Sequence, residues 1–330
     1  MGQARKVAGL SRSFSSRLPL SRSQIDRDHL ARAGGVEGLL ADPATRVIVL
    51  HEQLALLAGP AELAVLPATS IAHIGALYLG RSLTDAADLP IGAPVVALLV
   101  DDAQAAEFAG PAPADSAWGD LRRLGHLLGT RDAGLFTQAL ALANWHAAYG
   151  FSPRSGAATT IGAAGWKRVD PDGREVFPRT DAAVIVGITD VDDRLLLGSN
   201  AMWEANRFSL LAGFVEPGES LEAAVIREVF EESGLVVADP EYLGSQPWPF
   251  PASLMVGFRA HVPAHEQTVG RPDGEEILAL RWFTRAELAA AAASTEIILP
   301  GPTSIARAII EDWFGDEVVD GTRANDGSRA

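Results

Sequence analysis

The chain has 330 residues, no cysteine and a formal net charge of −15, with 48% of its residues hydrophobic and 7% aromatic. That length accommodates two domains with substantial cores, and the lack of cysteine excludes disulfide stapling and points to a cytoplasmic setting. The acidic balance excludes a broad basic groove for nucleic acid, so an anionic ligand must be drawn in by local cations or a metal. The longest apolar runs, such as residues 93–100, are far too short to cross a bilayer, and no membrane partner is expected.

Residues 1–25 are rich in Arg and Ser, with no acid before Asp26, which mimics a transit peptide. The apolar pattern there is weak, and a frayed, solvated terminus is expected instead. An N-terminal domain over residues 1–140 has strand-like runs at Thr45–Leu50, Ala76–Gly80 and Pro94–Val100, separated by Pro- and Gly-containing turns. Ala114–Gly119 is expected to open a helical stretch, and Asp132–Tyr149 has the near-helical apolar spacing of a longer helix. Residues 141–179 comprise the end of that helix and a hairpin whose turn signals are the Asp-Pro and Asp-Gly steps within Lys167–Gly173. A third region, 180–316, opens with a buried strand at Ala182–Ile188 and a second at Arg194–Gly198. The tail, 317–330, is polar and expected to be disordered. Alternating strands and helices argue for an α/β layered fold, and no internal repeat is visible.

Within the third region, residues 213–235 form a pattern of unusual density. It reads Gly213, five residues, Glu219, seven residues, then Arg227-Glu228-Val229-Phe230-Glu231-Glu232-Ser233-Gly234-Leu235. Pro217 and Gly218 turn the chain, Ser220 suits a helix N-cap, and Gly234 stands where a left-handed C-terminal residue is wanted. In a helix over Leu221–Ser233, Glu228, Glu231 and Glu232 share one face, on the stripe that Leu221, Ala224 and Val225 begin. Like charges on an apolar stripe repel and raise each other's pKa. A hard divalent cation, Mg²⁺ or Mn²⁺, resolves that conflict and takes substrate phosphates as further ligands. Arg227 can hold a neighbouring carboxylate bidentately. Downstream, Ser245-Gln246-Pro247-Trp248-Pro249-Phe250-Pro251 has too many prolines for a helix or a central strand. It is expected to be a rigid extended loop, with Trp248 and Phe250 either packed into the core or presented to a flat heteroaromatic ring.

The 213–235 pattern resembles the Nudix box with no position missing. The Ser-Gln-Pro-Trp-Pro-Phe-Pro run, continued by Ser253, resembles the signature of the NADH pyrophosphatase subfamily. Phe151-Ser152-Pro153-Arg154-Ser155-Gly156 and Phe177-Pro178 resemble the two ends of that subfamily's zinc ribbon, and Leu299–Ala306 resembles its C-terminal loop. The resemblance implies an α/β fold: a Nudix α/β/α sandwich behind an α+β N-terminal domain, with a ribbon-like hairpin between them. It implies a homodimeric metal-dependent NAD(H) diphosphatase that cuts NADH or NAD⁺ into NMN(H) and AMP. Carried over residue by residue, it makes Glu228, Glu231, Glu232 and Arg227 catalytic. It makes Glu228, Glu231, Glu232 and Glu276 metal ligands, with Glu275 a local rival of Glu276. It places Phe214 and, across a dimer interface, Phe177 on the nicotinamide, with Gln246, Trp248, Ser253, Met255 and Ala306 around the substrate. Arg207 is either a further substrate cation or a surface residue.

One departure is plain. With no cysteine, the four zinc positions of the family become Ser152, Ser155 and, approximately, Val169 and Asp172, so no thiolate site exists and no zinc is expected. The ribbon is expected to persist as a metal-free hairpin. Two further functions stay open. One is the same chemistry on RNA carrying a 5′ NAD cap, for which a basic strip of Arg5, Lys6, Arg12, Arg17 and Arg22 is available. The other is a non-catalytic nucleotide sensor.

Overall fold

The computed structural model describes residues 13–68, 74–109, 117–204, 206–266 and 268–321. Arg5, Lys6 and Arg12 of the basic strip lie outside them, as do residues 110–116 and 322–330. Arg17 is paired with Asp312 at 2.9 Å.

The C-terminal sheet runs in the order Ala238–Trp248, Ser253–His261, Asp181–Thr189, Leu195–Asn200, Ile277–Phe283, and Leu211–Phe214 adds to the 181–189 strand. Alternation along the central strand explains the layering. Val184, Val186 and Ile188 face the box helix Leu221–Ser233, while Ile185 faces the Ile305–Phe314 and Arg285–Ala293 helices. Gly187 stands on the second face because a Cβ there would lie 2.8 Å from Ile309. Helices on both faces of one sheet make the expected α/β/α sandwich.

The N-terminal sheet has eight strands, and its central element is again a parallel pair, Arg46–His51 beside Pro94–Val100. Asp181–Thr189 and Ser253–His261 form the matching parallel pair of the C-terminal sheet. The Thr130–Ala148 helix covers the first sheet, burying Leu135, Phe136, Ala139 and Leu140 in its core. Of the stretch expected to open a helix, residues 114–116 lie outside the described residues, Ala117 is helical, and Trp118–Asp120 form a strand against Leu54–Leu56. The Asp120 side chain accepts from the N–H groups of Arg122 and Arg123 and caps the short helix Leu121–Leu124.

Two further expectations change. The proline-rich segment is a hairpin arm rather than a loop. Ser245–Trp248 pairs with Ser253–Val256, and Pro247 is tolerated because this is the edge strand of the sheet. The tail does not fray at Phe314. Gly315 adopts φ 91°, the chain turns back, and Val318 and Asp320 are buried.

Between the domains, Thr160–Gly162, Lys167–Val169 and Glu175–Val176 form a small three-stranded sheet, the expected ribbon. Its hub is Asp170, one residue from the expected Val169. The Asp170 carboxylate accepts from the N–H groups of Asp172 (3.0 Å) and Arg174 (2.9 Å) and from the Ser155 hydroxyl (3.2 Å). Ser152 also bonds it. Those bonds, led by the Arg174 N–H, hold its pKa below the usual carboxylate range. A carboxylate and two serine hydroxyls thus tie the knuckles that the family ties with zinc thiolates, and Asp172 contributes its backbone rather than its side chain.

Candidate active site

The box helix begins at Ser220, whose hydroxyl accepts from the Ala223 N–H at 3.2 Å, and ends at Gly234 with φ 67°. Its apolar stripe is Ala224, Val225 and Val229, all fully buried under the sheet. Glu228 and Glu232 lie on the border of that stripe and are buried with it, whereas the Glu231 side chain is 56% exposed.

Arg227 organises the carboxylates. It grips Glu219 through two bonds, of 3.1 and 2.5 Å, and donates to Glu228 (2.9 Å), Glu231 (2.8 Å) and the Phe214 carbonyl (2.9 Å). Glu219 responds with a lowered pKa, caused first by its Arg227 bonds and then by the Glu216 N–H. The Glu228 pKa rises, because burial outweighs the same arginine. Its five bonds reach four groups and fix three carboxylates relative to the Phe214 backbone.

Glu232 has no arginine. Burial, then the charges of Glu228 and Glu276, push its carboxyl up to about 8. One of its oxygens, Oε2, is buried without any hydrogen-bond partner. An orphaned buried carboxylate oxygen facing two further glutamates fits a hard divalent cation, which satisfies the oxygen and neutralises the repulsion. The charge of Glu276 acts on both Glu228 and Glu232. Glu276 is positioned by Asp273, which accepts from the N–H groups of Glu275, Glu276 and Ile277 at 2.8–2.9 Å. Among the described residues, the group of three ligand-type side chains with atoms within 4.8 Å of one another is elsewhere: His51, Glu52 and Asp102. The box carboxylates do not meet that distance.

Those three residues line a cavity of about 1230 Å³ in the N-terminal domain, and none of the box glutamates lines it. A smaller cavity, about 330 Å³, is lined by Arg122, Arg123, Arg207, Trp203, Trp248 and the segment from Pro300 to Ser304. Arg122 lies 5.5 Å from the Trp248 ring and 4.0 Å from that of Phe250. The two rings meet edge-on at 4.9 Å. Two of the walls are hydrogen-bonded together: Phe208 N–H donates to Ile298 (3.0 Å) and Ile298 N–H to Asn206 (2.8 Å). Three guanidinium groups and two indoles make this a pocket for an anion bearing a flat ring.

The expected substrate residues divide. Trp248 lines the pocket, and so does Arg207. Gln246 is fully buried, accepts from the Leu20 N–H at 3.2 Å and donates to the Thr303 carbonyl at 3.0 Å. It is a brace between the domains and the pocket wall. Ala306 is buried at 2% exposure, in the first turn of the helix that Ser304 caps. Ser253 pairs with Trp248 across the hairpin, and Met255 pairs with Gln246 and packs on the core. Phe214 and Phe177 present exposed rings, 59% and 60%. Sequence reasoning missed Arg122, Arg123, Trp203, Thr303 and Ser304. The two arginines come from the N-terminal domain, and no local pattern marks them as partners of Trp248.

Residues 178–299 match the NUDIX domain, and residues 44–145 match the NADH pyrophosphatase-like rudimentary NUDIX domain. The second match explains the parallel pair in both sheets: the chain contains a structural repeat that its sequence does not display. The NAD-capped RNA hydrolase NudC of Mycobacterium bovis is 41% identical over 335 aligned residues, which cover 96% of this chain and 97% of that one. The Mycobacterium tuberculosis protein of the same name is 40% identical over the same shares. The human NAD-capped RNA hydrolase NUDT12 is 37% identical over 56% of this chain and 42% of its own.

Proposed function

Because the chain belongs to the Nudix hydrolases and is similar to NudC along nearly its whole length, we propose that it hydrolyses the pyrophosphate of NAD(H), releasing NMN(H) and AMP. The observation that carries this reading is the orphaned Oε2 of Glu232 beside Glu228 and Glu276, together with a cationic, indole-lined pocket to which both domains contribute residues.

In this reading Glu228, Glu232 and Glu276 hold Mg²⁺ or Mn²⁺, with Glu231 at the rim of the set. A cation held by these residues would supply polarisation of the phosphoryl oxygens and a lowered pKa of water. Arg227 keeps Glu219, Glu228 and Glu231 from relaxing apart. Glu231, the most exposed of the box carboxylates, takes the proton of the attacking water. Oxygen from that water forms a bond to one phosphorus, the bridging P–O bond breaks, and a mononucleotide leaves. Arg122, Arg123 and Arg207 offset the substrate's charge locally, which the net −15 of the chain requires. Trp248 and Trp203 supply flat faces for a ring.

The same pocket and chemistry serve RNA carrying a 5′ NAD cap, a reading favoured by the names of the relatives. An intact set of box carboxylates favours catalysis over a sensing role. We also read the chain as a homodimer, supported by the exposed rings of Phe151, Phe177 and Phe214. Among the described residues no helix is long and apolar enough to cross a membrane. Chromatography of NADH incubated with the protein and MgCl₂ tests the main reading: NMNH and AMP support it, and unchanged NADH refutes it. A parallel incubation with NAD-capped RNA decides which substrate is cut faster.

A further inference from the structure

Arg307 heads the large side chains that are fully buried among the described residues, with 1% of its surface exposed. A buried guanidinium is tolerated only when its donors are met. Here Nε donates to Glu311 at 2.7 Å, Nη1 to Asp320 at 2.7 Å and to the Pro300 carbonyl at 3.4 Å, and Nη2 to the Val318 carbonyl. One cation therefore joins three pieces of chain: the last helix, the segment that follows it, and the Pro300 loop. The returning segment is itself anchored. Gly315 in the left-handed region turns the chain, Val318 is 1% exposed in the core, and the Val318 N–H donates to the same Glu311 oxygen at 3.3 Å.

The Pro300 loop matters because Pro300, Gly301, Thr303 and Ser304 form one wall of the arginine–indole cavity. Gln246 holds that wall through the Thr303 carbonyl, and Arg307 holds it through the Pro300 carbonyl. Neither Arg307 nor Asp320 lines the cavity. We propose that residues 315–320 are a latch, and that Arg307 is a positioning residue which uses Asp320 to fix the Pro300–Ser304 wall for substrate binding. This rests on reading that cavity as the dinucleotide pocket. The latch acts on ground-state binding rather than on the carboxylates, so its loss falls on KM.

The test is Asp320→Asn in the full chain, which keeps the shape and removes the counter-charge. Three quantities are read: kcat and KM for NADH at saturating MgCl₂, the affinity for AMP by calorimetry, and the melting temperature. The expected result is a rise of roughly three- to tenfold in both KM and the AMP dissociation constant, with kcat within about twofold, because a displaced wall weakens contacts without touching the chemistry. Asp320→Glu, which keeps the charge, recovers most of the affinity. Should Asp320→Asn fail to fold, Glu311→Gln, which loosens the same latch from the helix side, is read in its place. A lower melting temperature with unchanged KM and AMP affinity overturns the latch, and so does a fall in kcat alone. If wild type binds AMP but does not cut NADH, the proposed reaction fails while AMP affinity still decides the latch. Wild type that binds no AMP overturns the latch itself.

Discussion

The Glu228 carboxylate occupies the space where a side chain on Gly213 would begin. A Cβ at position 213 would lie 1.9 Å from the Glu228 carboxyl carbon and 2.1 Å from each of its oxygens. The glycine that opens the box is therefore required by the second carboxylate of its helix, fifteen positions later. Gly213→Ala should leave the fold in place, because the obstacle is the end of a flexible side chain, and should displace Glu228. The expected outcome is a loss of roughly 10–10² in kcat with a nearly unchanged circular dichroism spectrum. Full activity in that variant would remove Glu228 from the working site.

Glu232 gives the protein a pH signature. Its folded pKa, about 8, lies above its ordinary 4.5. A carboxyl raised on folding stabilises the protein fully below the lower value, and that stability is lost as pH rises through the folded one. The melting temperature of the metal-free protein should therefore fall between pH 5 and pH 9. A bound cation favours the ionised carboxylate, so MgCl₂ should raise the melting temperature more at pH 8.5 than at pH 5.5. An equal rise at both values would show that Glu232 is not a ligand.

Arg122 separates binding from chemistry. It reaches the pocket from the N-terminal domain and sits over Trp248 and Phe250. Arg122→Ala should raise KM for NADH roughly tenfold, the value of one partly desolvated cation, and leave kcat within a small factor. Steady-state kinetics decides it. An unchanged KM would separate the N-terminal domain from substrate recognition.

The ribbon can be tested without any metal. Asp170 has a lowered pKa, so its contribution is present above the ordinary carboxylate value and is lost as pH falls through the folded one. Asp170→Ala should speed hydrogen exchange at the Asp172 and Arg174 amides, whose N–H groups it accepts. A chelator added to wild type should leave those amides protected. Rapid exchange on chelation would mean that a metal, and not the carboxylate, ties this turn.

Much of this architecture was legible in the sequence because it is local. The box helix announces itself by Ser220, its Glu spacing and Gly234, all within one continuous segment, and the ribbon by its Asp-Pro and Asp-Gly turns. What the sequence concealed depends on distant pairings. Asp320 looks like part of a polar tail until Arg307 is known to be buried beside it. The two partners of the Gln246 amide, Leu20 and Thr303, lie 226 and 57 positions away in the chain. The repeated parallel pair escaped notice because shared topology needs only apolar strands, and Val47–Leu50 and Val184–Ile188 satisfy it with different residues.

The most direct test of the central claim is NADH turnover with and without MgCl₂, in wild type and in Glu232→Gln, with products resolved by chromatography. The account predicts NMNH and AMP from wild type only when metal is present, and a loss of at least about 10² in rate for a variant that lacks one metal-ligand charge yet is no less stable without metal. Metal-independent cleavage, or full activity in Glu232→Gln, would contradict it.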